Sequence, residues 1–416
     1  MKKFLLLWTN TTTVRHYNYH FTHFGEIYDY LDKKFPDEFD ALDADVLNYD
    51  INDIYKEILN KNYKVVVMYI STENIYSSCS FSNFIKKNNL DIKLMAYGPI
   101  CFLTNNLLFN YGFDVIYKSG DFEKTIENYI YYYITKDKSF LSGIRYVENG
   151  NIIETKKGDF IDINEMGFTN LDKLSIEKYF KKPDNKRIII TISRGCPYSC
   201  PHCIIQQQEG NIDRRRNIKS LKNYLEMHYS KYTYYKFFSP NFTLNKKYVF
   251  ELCDMFVKNF PDIVWECTTR INFLNDDELL KKMKDAGCKQ ISVGIESLSE
   301  KELNTINKKN NNQKIIETIK KVNDCGIKIK ACLMIGIPNQ TKESIIYTFK
   351  TLKDLNVDLR PSIYSPYQNI NDEMSLMEIE EFNRKLYHPN KSCIPSKKLL
   401  EIVSNPNDFE RILNDK

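Results

Sequence analysis

No apolar run in the 416 residues is long enough to cross a bilayer, so the longest apolar stretches read as buried strands. The first residues, MKKFLLLW, are basic and briefly apolar, but polar Thr and Asn follow without a small-residue cleavage site. No secretory signal is expected, and the expected location is the cytoplasm. Excess charge of one sign is also missing. Lys+Arg (59) and Asp+Glu (54) leave +5, with the lysines scattered, which gives no footprint for nucleic acid. Eleven cysteines are too few for a disulfide scaffold, and in a reducing compartment they read as thiols or metal ligands. Only one group of them is tightly clustered. The length exceeds what one hydrophobic core organises, so two domains and a tail are expected.

Up to about Ile130, short apolar runs alternate with amphipathic stretches. Lys3–Trp8, Lys64–Ile70, Ile92–Tyr97 and Val115–Lys118 read as strands, Gly25–Lys34 and Ser80–Asn88 as helices. The alternation implies βαβ units in a Rossmann-like, doubly wound α/β domain over residues 1–140. Ligands of such sheets sit at the carboxyl ends of the strands, here near Ser71, Thr72, Gly98 and Pro99. Between Ser142 and Asp162, Asn149-Gly150 marks a hairpin turn, and residues 141–185 read as hairpin and linker. Six further strands follow: Ile188–Ile192, Tyr234–Phe238, Ile263–Thr268, Gln290–Gly294, Lys328–Ile335 and Asp358–Tyr364. The helices between them include Leu244–Asn259, Asp276–Ala286, Gln313–Cys325 and Lys342–Leu355. Residues 186–368 therefore read as a partial (β/α)6, TIM-like barrel, with its chemistry at the strand C-termini. Residues 369–416 read as a helical C-terminal extension without a catalytic signal.

The cysteine cluster follows the first of these six strands: Thr191-Ile-Ser-Arg-Gly-Cys196-Pro-Tyr-Ser-Cys200-Pro-His-Cys203. Three thiolates on one loop suit a soft metal or cluster, and a cubane with three protein ligands leaves one iron open. Gly195 and Pro197 disfavour helix and let the chain wrap an inorganic body. A closed zinc site needs a fourth ligand, and no second Cys/His pair follows. His202 adjoins Cys203 too closely to complete a tetrahedron.

C-x3-C-x2-C in this position resembles the radical S-adenosylmethionine (SAM) superfamily, over about Arg187 to Tyr367. The resemblance implies a [4Fe-4S] cluster on Cys196, Cys200 and Cys203, whose open iron is chelated by SAM. It also implies reductive cleavage to methionine and a 5′-deoxyadenosyl radical, with an electron donor such as flavodoxin or ferredoxin as partner. Further cofactor contacts implied by the resemblance are His202 near adenine and Glu296 in Val293-Gly-Ile-Glu-Ser297 at the ribose or amino-acid end. Arg270 in Thr268-Thr-Arg270 would meet the cofactor's carboxylate, and Gly336 in Met334-Ile-Gly-Ile-Pro338 would lie against adenine. Phe238-Ser239-Pro-Asn241-Phe242 departs from the pattern, because a carboxylate common there is missing. Ser239 and Asn241 remain as candidates for the methionyl ammonium.

The first domain resembles the cobalamin-binding-like domain of one branch of that superfamily, on Val66–Thr72, Ala96-Tyr-Gly98-Pro99 and Asp114–Ile126. That branch implies cobalamin and methylation of an unactivated carbon of a small natural product or peptide. D-x-H-x-x-G is absent, and His16, His20 and His23 lack its spacing. The alternative is a cobalamin-independent radical enzyme that epimerises, cross-links or rearranges a peptide or natural product. A methylthiotransferase would carry three cysteines in the first domain, where only Cys79 and Cys101 stand. A non-catalytic zinc- or cluster-bearing interaction protein is the remaining class. Cys393 stands alone, against a second cluster, and Cys253, Cys267, Cys288, Cys325 and Cys332 read as apolar packing. The loop Gln206–Arg216 is a candidate for substrate recognition, and the Tyr-rich runs at 131–133 and 232–235 read as core rather than base-stacking surface.

Overall fold

The computed structural model describes residues 3–10, 20–180, 186–200, 202–232, 234–308, 311–384 and 395–414. His16, Pro201 and Cys393 lie outside them, as does the side chain of His20. Two compact units emerge. The first takes in 1–185, 204–214 and 367–382, the second 186–203, 215–366 and 383–416.

The first unit is built on β1 (Phe4–Trp8), β2 (Phe39–Asp43), β3 (Val65–Tyr69), β4 (Lys93–Tyr97), β5 (Val115–Tyr117), β6 (Ile144–Glu148) and β7 (Asn151–Glu154), in the order 2-1-3-4-5-6-7. Strands β1 to β5 run parallel. All five residues of β1 are buried, as a central strand with helices on both faces requires. The order 2-1-3-4-5 places the topological switch point between β1 and β3. The Asn149-Gly150 turn forms as expected, both residues having positive φ (50° and 77°). Its hairpin does not stand in a linker. Strand β6 pairs antiparallel with β5, and β7 with β6, so the first sheet grows by two strands. The tail also differs from a single extension. Its first part, around helix Leu376–Glu380, belongs to the first unit, where the Asp372 carboxylate accepts the backbone N–H groups of Asn105, Asn106 and Leu107. Tyr131 packs between Phe35 and Phe140, but Tyr131, Tyr132 and Tyr133 are only half-buried, so this run lies at the margin of the core rather than within it.

The second unit holds six parallel strands in sequence order: β8 (Ile188–Thr191), β9 (Tyr234–Phe238), β10 (Val264–Thr269), β11 (Cys288–Glu296), β12 (Lys328–Ile335) and β13 (Asp358–Ile363). Register separates two faces. One carries Ile188, Ile190, Phe237, Trp265, Ile291, Val293, Ala331 and Leu333, all buried, with helices such as Asn312–Asp324 and Lys342–Asp354 packed against the sheet. The other carries Lys236, Glu266, Ser292, Lys330, Cys332 and Arg360. Near the strand starts, Glu266 binds Arg187 at 2.8 Å, Lys236 at 3.6 Å and the Tyr234 hydroxyl at 3.1 Å. Polar residues on an inward barrel face are affordable only when paired in this way. Tyr235 is fully buried, with its hydroxyl donating to the Tyr232 carbonyl. The last helices close one end: Leu399 and Ile402 are buried, and Phe409 packs on Phe349.

Candidate active site

The ends of β8 to β12 bring most of the expected residues to one edge of the second sheet. The loop after β8 carries the three cysteines, with Gly195 at φ +83° turning the chain out of the strand. Cys196 and Cys200 are half-buried and Cys203 is exposed. Arg216 fixes the base of this loop. It is itself fully buried, its N–H donates to the Ile192 carbonyl (2.9 Å), and its Nε donates to the Thr191 carbonyl (2.8 Å).

Among the described residues, no three His, Cys, Asp or Glu side chains close on one point as a single metal ion requires. A cubane asks for something different, since each thiolate ligates a different iron.

His202 lies inside the cluster loop with its Nδ1 buried and unpartnered among the described residues. Burial lowers its pKa below the ordinary imidazole value; the Glu296 carboxylate opposes that shift, and the Lys308 and Arg270 cations add to it. The ring therefore shares an electrostatic environment with all three. Asn241, after β9, is 2 % exposed. Its Oδ1 accepts from the Thr269 hydroxyl (2.6 Å) and the Arg270 N–H (3.4 Å), while its Nδ2 is buried and has no partner among the described residues. Because a backbone N–H can only donate, the amide orientation is set, and the leftover group is a donor. The expected contact is with the methionyl ammonium, whereas an orphan N–H₂ can donate to a carboxylate and cannot accept from an ammonium. The Ser239 hydroxyl is shared with Ser193 at 2.6 Å and accepts the Asn241 N–H at 3.2 Å.

Glu296 ends β11 at a register shift against β12, in the left-handed region at φ +66°. A glutamate there stores backbone strain, which tends to gather at functional sites. Its Oε1 lies 2.8 Å from Lys308 Nζ, and the same ammonium donates to the Gly294 carbonyl at 2.5 Å. A Cβ at Gly294 would come within 2.6 Å of Glu296 Oε1 and 3.0 Å of Lys308 Nζ, so the glycine makes room for the pair. Lys308 escapes sequence reasoning, being a loop lysine among many lysines. Gly336 adopts φ +83° after β12, but its N–H is taken by Gln340 Oε1 at 2.7 Å. Gln340 in turn donates to Glu302 (2.8 Å), which also binds the hydroxyls of Ser297 and Ser344. Glu302 thereby ties the loop after β11 to the loop after β12.

Arg270 follows β10. No described carboxylate pairs with it; its guanidinium lies 4.2 Å above the Tyr198 ring and its Nη1 reaches Cys200 Sγ at 3.5 Å. Cys332 is not on an apolar face as expected: register sets it opposite Gly294 and Arg360. Cys253 and Cys288 are buried thiols, Cys253 being pushed up to about 12 by burial.

In the first unit, Ser71 and Thr72 follow β3, and Gly98 follows β4 at φ +113°. Asn74 there is fully buried and holds the switch point together. Its Oδ1 accepts the Ser71 N–H (2.8 Å), and its Nδ2 donates to the Tyr69 carbonyl (2.9 Å) and Thr9 Oγ1 (3.3 Å). Thr9 and Ser78 share a further hydrogen bond at 2.6 Å.

Residues 190–352 match the Radical SAM superfamily. An uncharacterized methyltransferase of Pyrococcus horikoshii is 27 % identical over 349 residues, covering 81 % of this chain and 75 % of the relative. The anaerobic magnesium-protoporphyrin IX monomethyl ester cyclase of Rubrivivax gelatinosus is 26 % identical over 59 % of this chain, and the match spans 46 % of that enzyme. Among solved structures, the radical SAM methyltransferase TsrM from Kitasatospora setae, with cobalamin and a [4Fe-4S] cluster bound, aligns at a TM-score of 0.71 and 14 % identity. That alignment covers 88 % of this chain and 77 % of TsrM. The cobalamin-dependent SAM radical enzyme OxsB, with aqua-cobalamin and SAM bound, aligns at 0.71 and 15 % identity over 98 % of this chain and 62 % of OxsB. At such identities the likeness is one of fold. A domain of the matched family implies a [4Fe-4S] cluster and SAM, and the described polar groups agree with that demand. With three thiolates on the first loop, two orphan buried polar atoms beside it and this match, residues 190–352 form the radical SAM domain of an enzyme whose chain has the two-domain fold that TsrM and OxsB share.

Proposed function

We propose that the protein is a cobalamin-dependent radical SAM methyltransferase that alkylates an unactivated carbon of a small natural product or peptide. When bound, the cluster and SAM would supply one-electron cleavage of a sulfonium, and the corrinoid a transferable methyl group. Cys196, Cys200 and Cys203 hold the cluster in this reading. Glu296 and Lys308 form a buried anion–cation pair that complements a zwitterion, the ammonium of SAM's amino-acid end meeting Glu296 and its carboxylate meeting Lys308. Asn241 Nδ2 adds a donor for the carboxylate, and the His202 ring, its pKa lowered by burial, would pack on the adenine side.

The observation that carries the reading is the convergence at one sheet edge of the three-cysteine loop, the orphan atoms of His202 and Asn241, and the Glu296–Lys308 pair. Support for the corrinoid is of another kind: the 2-1-3-4-5 order of the first sheet and the two cobalamin-bearing neighbours. The polar groups of Thr9, Ser71, Asn74 and Ser78 at the switch point satisfy one another, so the corrinoid rests on fold rather than on a dedicated side chain. Electron supply from a flavodoxin or ferredoxin belongs to the same proposal.

Anaerobic reconstitution with methyl-labelled SAM, with and without cobalamin, tests it. Label arriving on the corrinoid is expected. Cleavage to 5′-deoxyadenosine with no corrinoid uptake would sink the methyltransferase in favour of the cobalamin-independent alternative.

A further inference from the structure

We propose that Arg270 tunes the reduction potential of the cluster by donating an N–H···S hydrogen bond to the thiolate of Cys200. The inference rests on the cluster assignment above and goes beyond it, because the sequence pattern assigns Arg270 to the carboxylate of SAM.

The geometry is specific on three sides. Arg270 Nη1 lies 3.5 Å from Cys200 Sγ. The guanidinium plane is supported from below by Tyr198, two residues before that cysteine, at 4.2 Å from the ring centroid. Tyr198 is in turn buttressed edge-on by Phe273, at 6.4 Å between ring centroids. At the other end, the Arg270 backbone N–H is held by Asn241 Oδ1. A long side chain anchored at its root, propped along its plane and tipped against sulfur is a preorganised donor. Lysine cannot imitate it, because an ammonium offers neither the planar fork nor the stacking.

The electrostatic consequence has a definite sign. Reduction adds one negative charge to the cluster and its thiolates. A permanent cation with an N–H aimed at one sulfur stabilises the reduced form more than the oxidised form, and raises the potential. The partly buried setting strengthens the effect, since little water intervenes to screen it. Arg270 is in this sense a positioning and tuning residue, acting through the ligand sulfur.

The test is a redox titration of the reconstituted, SAM-free full-length protein, followed by the electron paramagnetic resonance signal of the reduced cluster. Arg270→Gln is expected to lower the reduced-to-oxidised ratio about tenfold at the wild-type midpoint, equal to a downward shift of about 59 mV for one electron. Arg270→Lys should recover part of that shift through its charge. Tyr198→Leu, which removes the platform and keeps the guanidinium, should move the midpoint in the same direction by less. It also serves as the second probe should Arg270→Gln fail to assemble a cluster. A cluster assembled in either variant with an unchanged midpoint overturns the proposal. So does an unchanged midpoint accompanied by weakened SAM binding, which would return Arg270 to the cofactor's carboxylate. A wild-type protein that takes up no iron and sulfide overturns the functional reading itself.

Discussion

Lys308→Met removes one half of a buried ion pair and leaves the other half in place. The two side chains are 8 % and 9 % exposed, and their charged atoms lie 2.8 Å apart. Removing one member of such a pair strands an uncompensated charge and costs about 3–5 kcal/mol. The bond from Lys308 Nζ to the Gly294 carbonyl is lost with it, so a value near the upper end is expected. Glu296→Gln with Lys308→Met should recover much of that loss, because a neutral amide carries no stranded charge. Denaturant unfolding of the four proteins of this double-mutant cycle, without cofactor, measures the coupling directly. Within the cycle, Glu296→Gln alone should cost less than Lys308→Met, since the lysine keeps its carbonyl partner. If Lys308→Met falls within about 0.5 kcal/mol of wild type, as exposed substitutions do, the pair is not a buried complement and the zwitterion argument fails with it.

Four other outcomes are expected. Replacing any one of Cys196, Cys200 or Cys203 by Ala should abolish a full complement of cluster iron and sulfide, whereas Cys332→Ala should leave it intact; chemical analysis decides. Asn241→Asp turns an orphan donor into an acceptor facing the cofactor's carboxylate and should weaken SAM binding about tenfold or more by equilibrium dialysis, an equal affinity refuting the assignment. The folded-state pKa of His202 is depressed, so below the unfolded value of about 6.5 the unfolded chain binds a proton that the native ring does not. Stability from this residue is therefore present above that pH and falls as the pH drops toward the folded value, and His202→Gln should flatten that part of the profile. Gly294→Ala should push the Glu296 carboxylate aside, because the added Cβ would meet its Oε1 at 2.6 Å, and in the same denaturant series it should cost less than Lys308→Met, since that carboxylate is the far end of a flexible side chain.

Much of the architecture is written in alternation. Tyr234–Phe238 and Lys328–Ile335 read as strands from their sequence and are strands with those bounds, and the other four barrel strands differ from expectation by one or two residues at their ends. Strand β2 is harder to read, because Phe39-Asp-Ala-Leu-Asp43 mixes acids into five residues at a sheet edge, where one flank needs no apolar partner. The helix Ile51–Lys61, by contrast, carries a legible signal that the sequence reading passes over: Ile51, Ile54 and Ile58 recur at helical spacing behind an Asp50–Asp53 capping box. Cys332 could have been placed correctly. Ile329, Ala331, Leu333 and Ile335 are the buried alternation of their strand, which leaves Cys332 on the face of Lys330. The site is legible where chemistry imposes spacing, as in the cysteine loop. It is silent where tertiary hydrogen bonding decides, as in the amide orientation of Asn241 or the choice of Lys308 among dozens of cations.

Glu302 has a mechanical consequence. One carboxylate grips Ser297, Gln340 and Ser344 together, so the two lips of the barrel mouth that these residues edge are yoked. A molecule pressing on one lip loads the other, and the mouth yields as a single stiff piece. Cutting that yoke with Glu302→Ala would leave two lips that breathe independently.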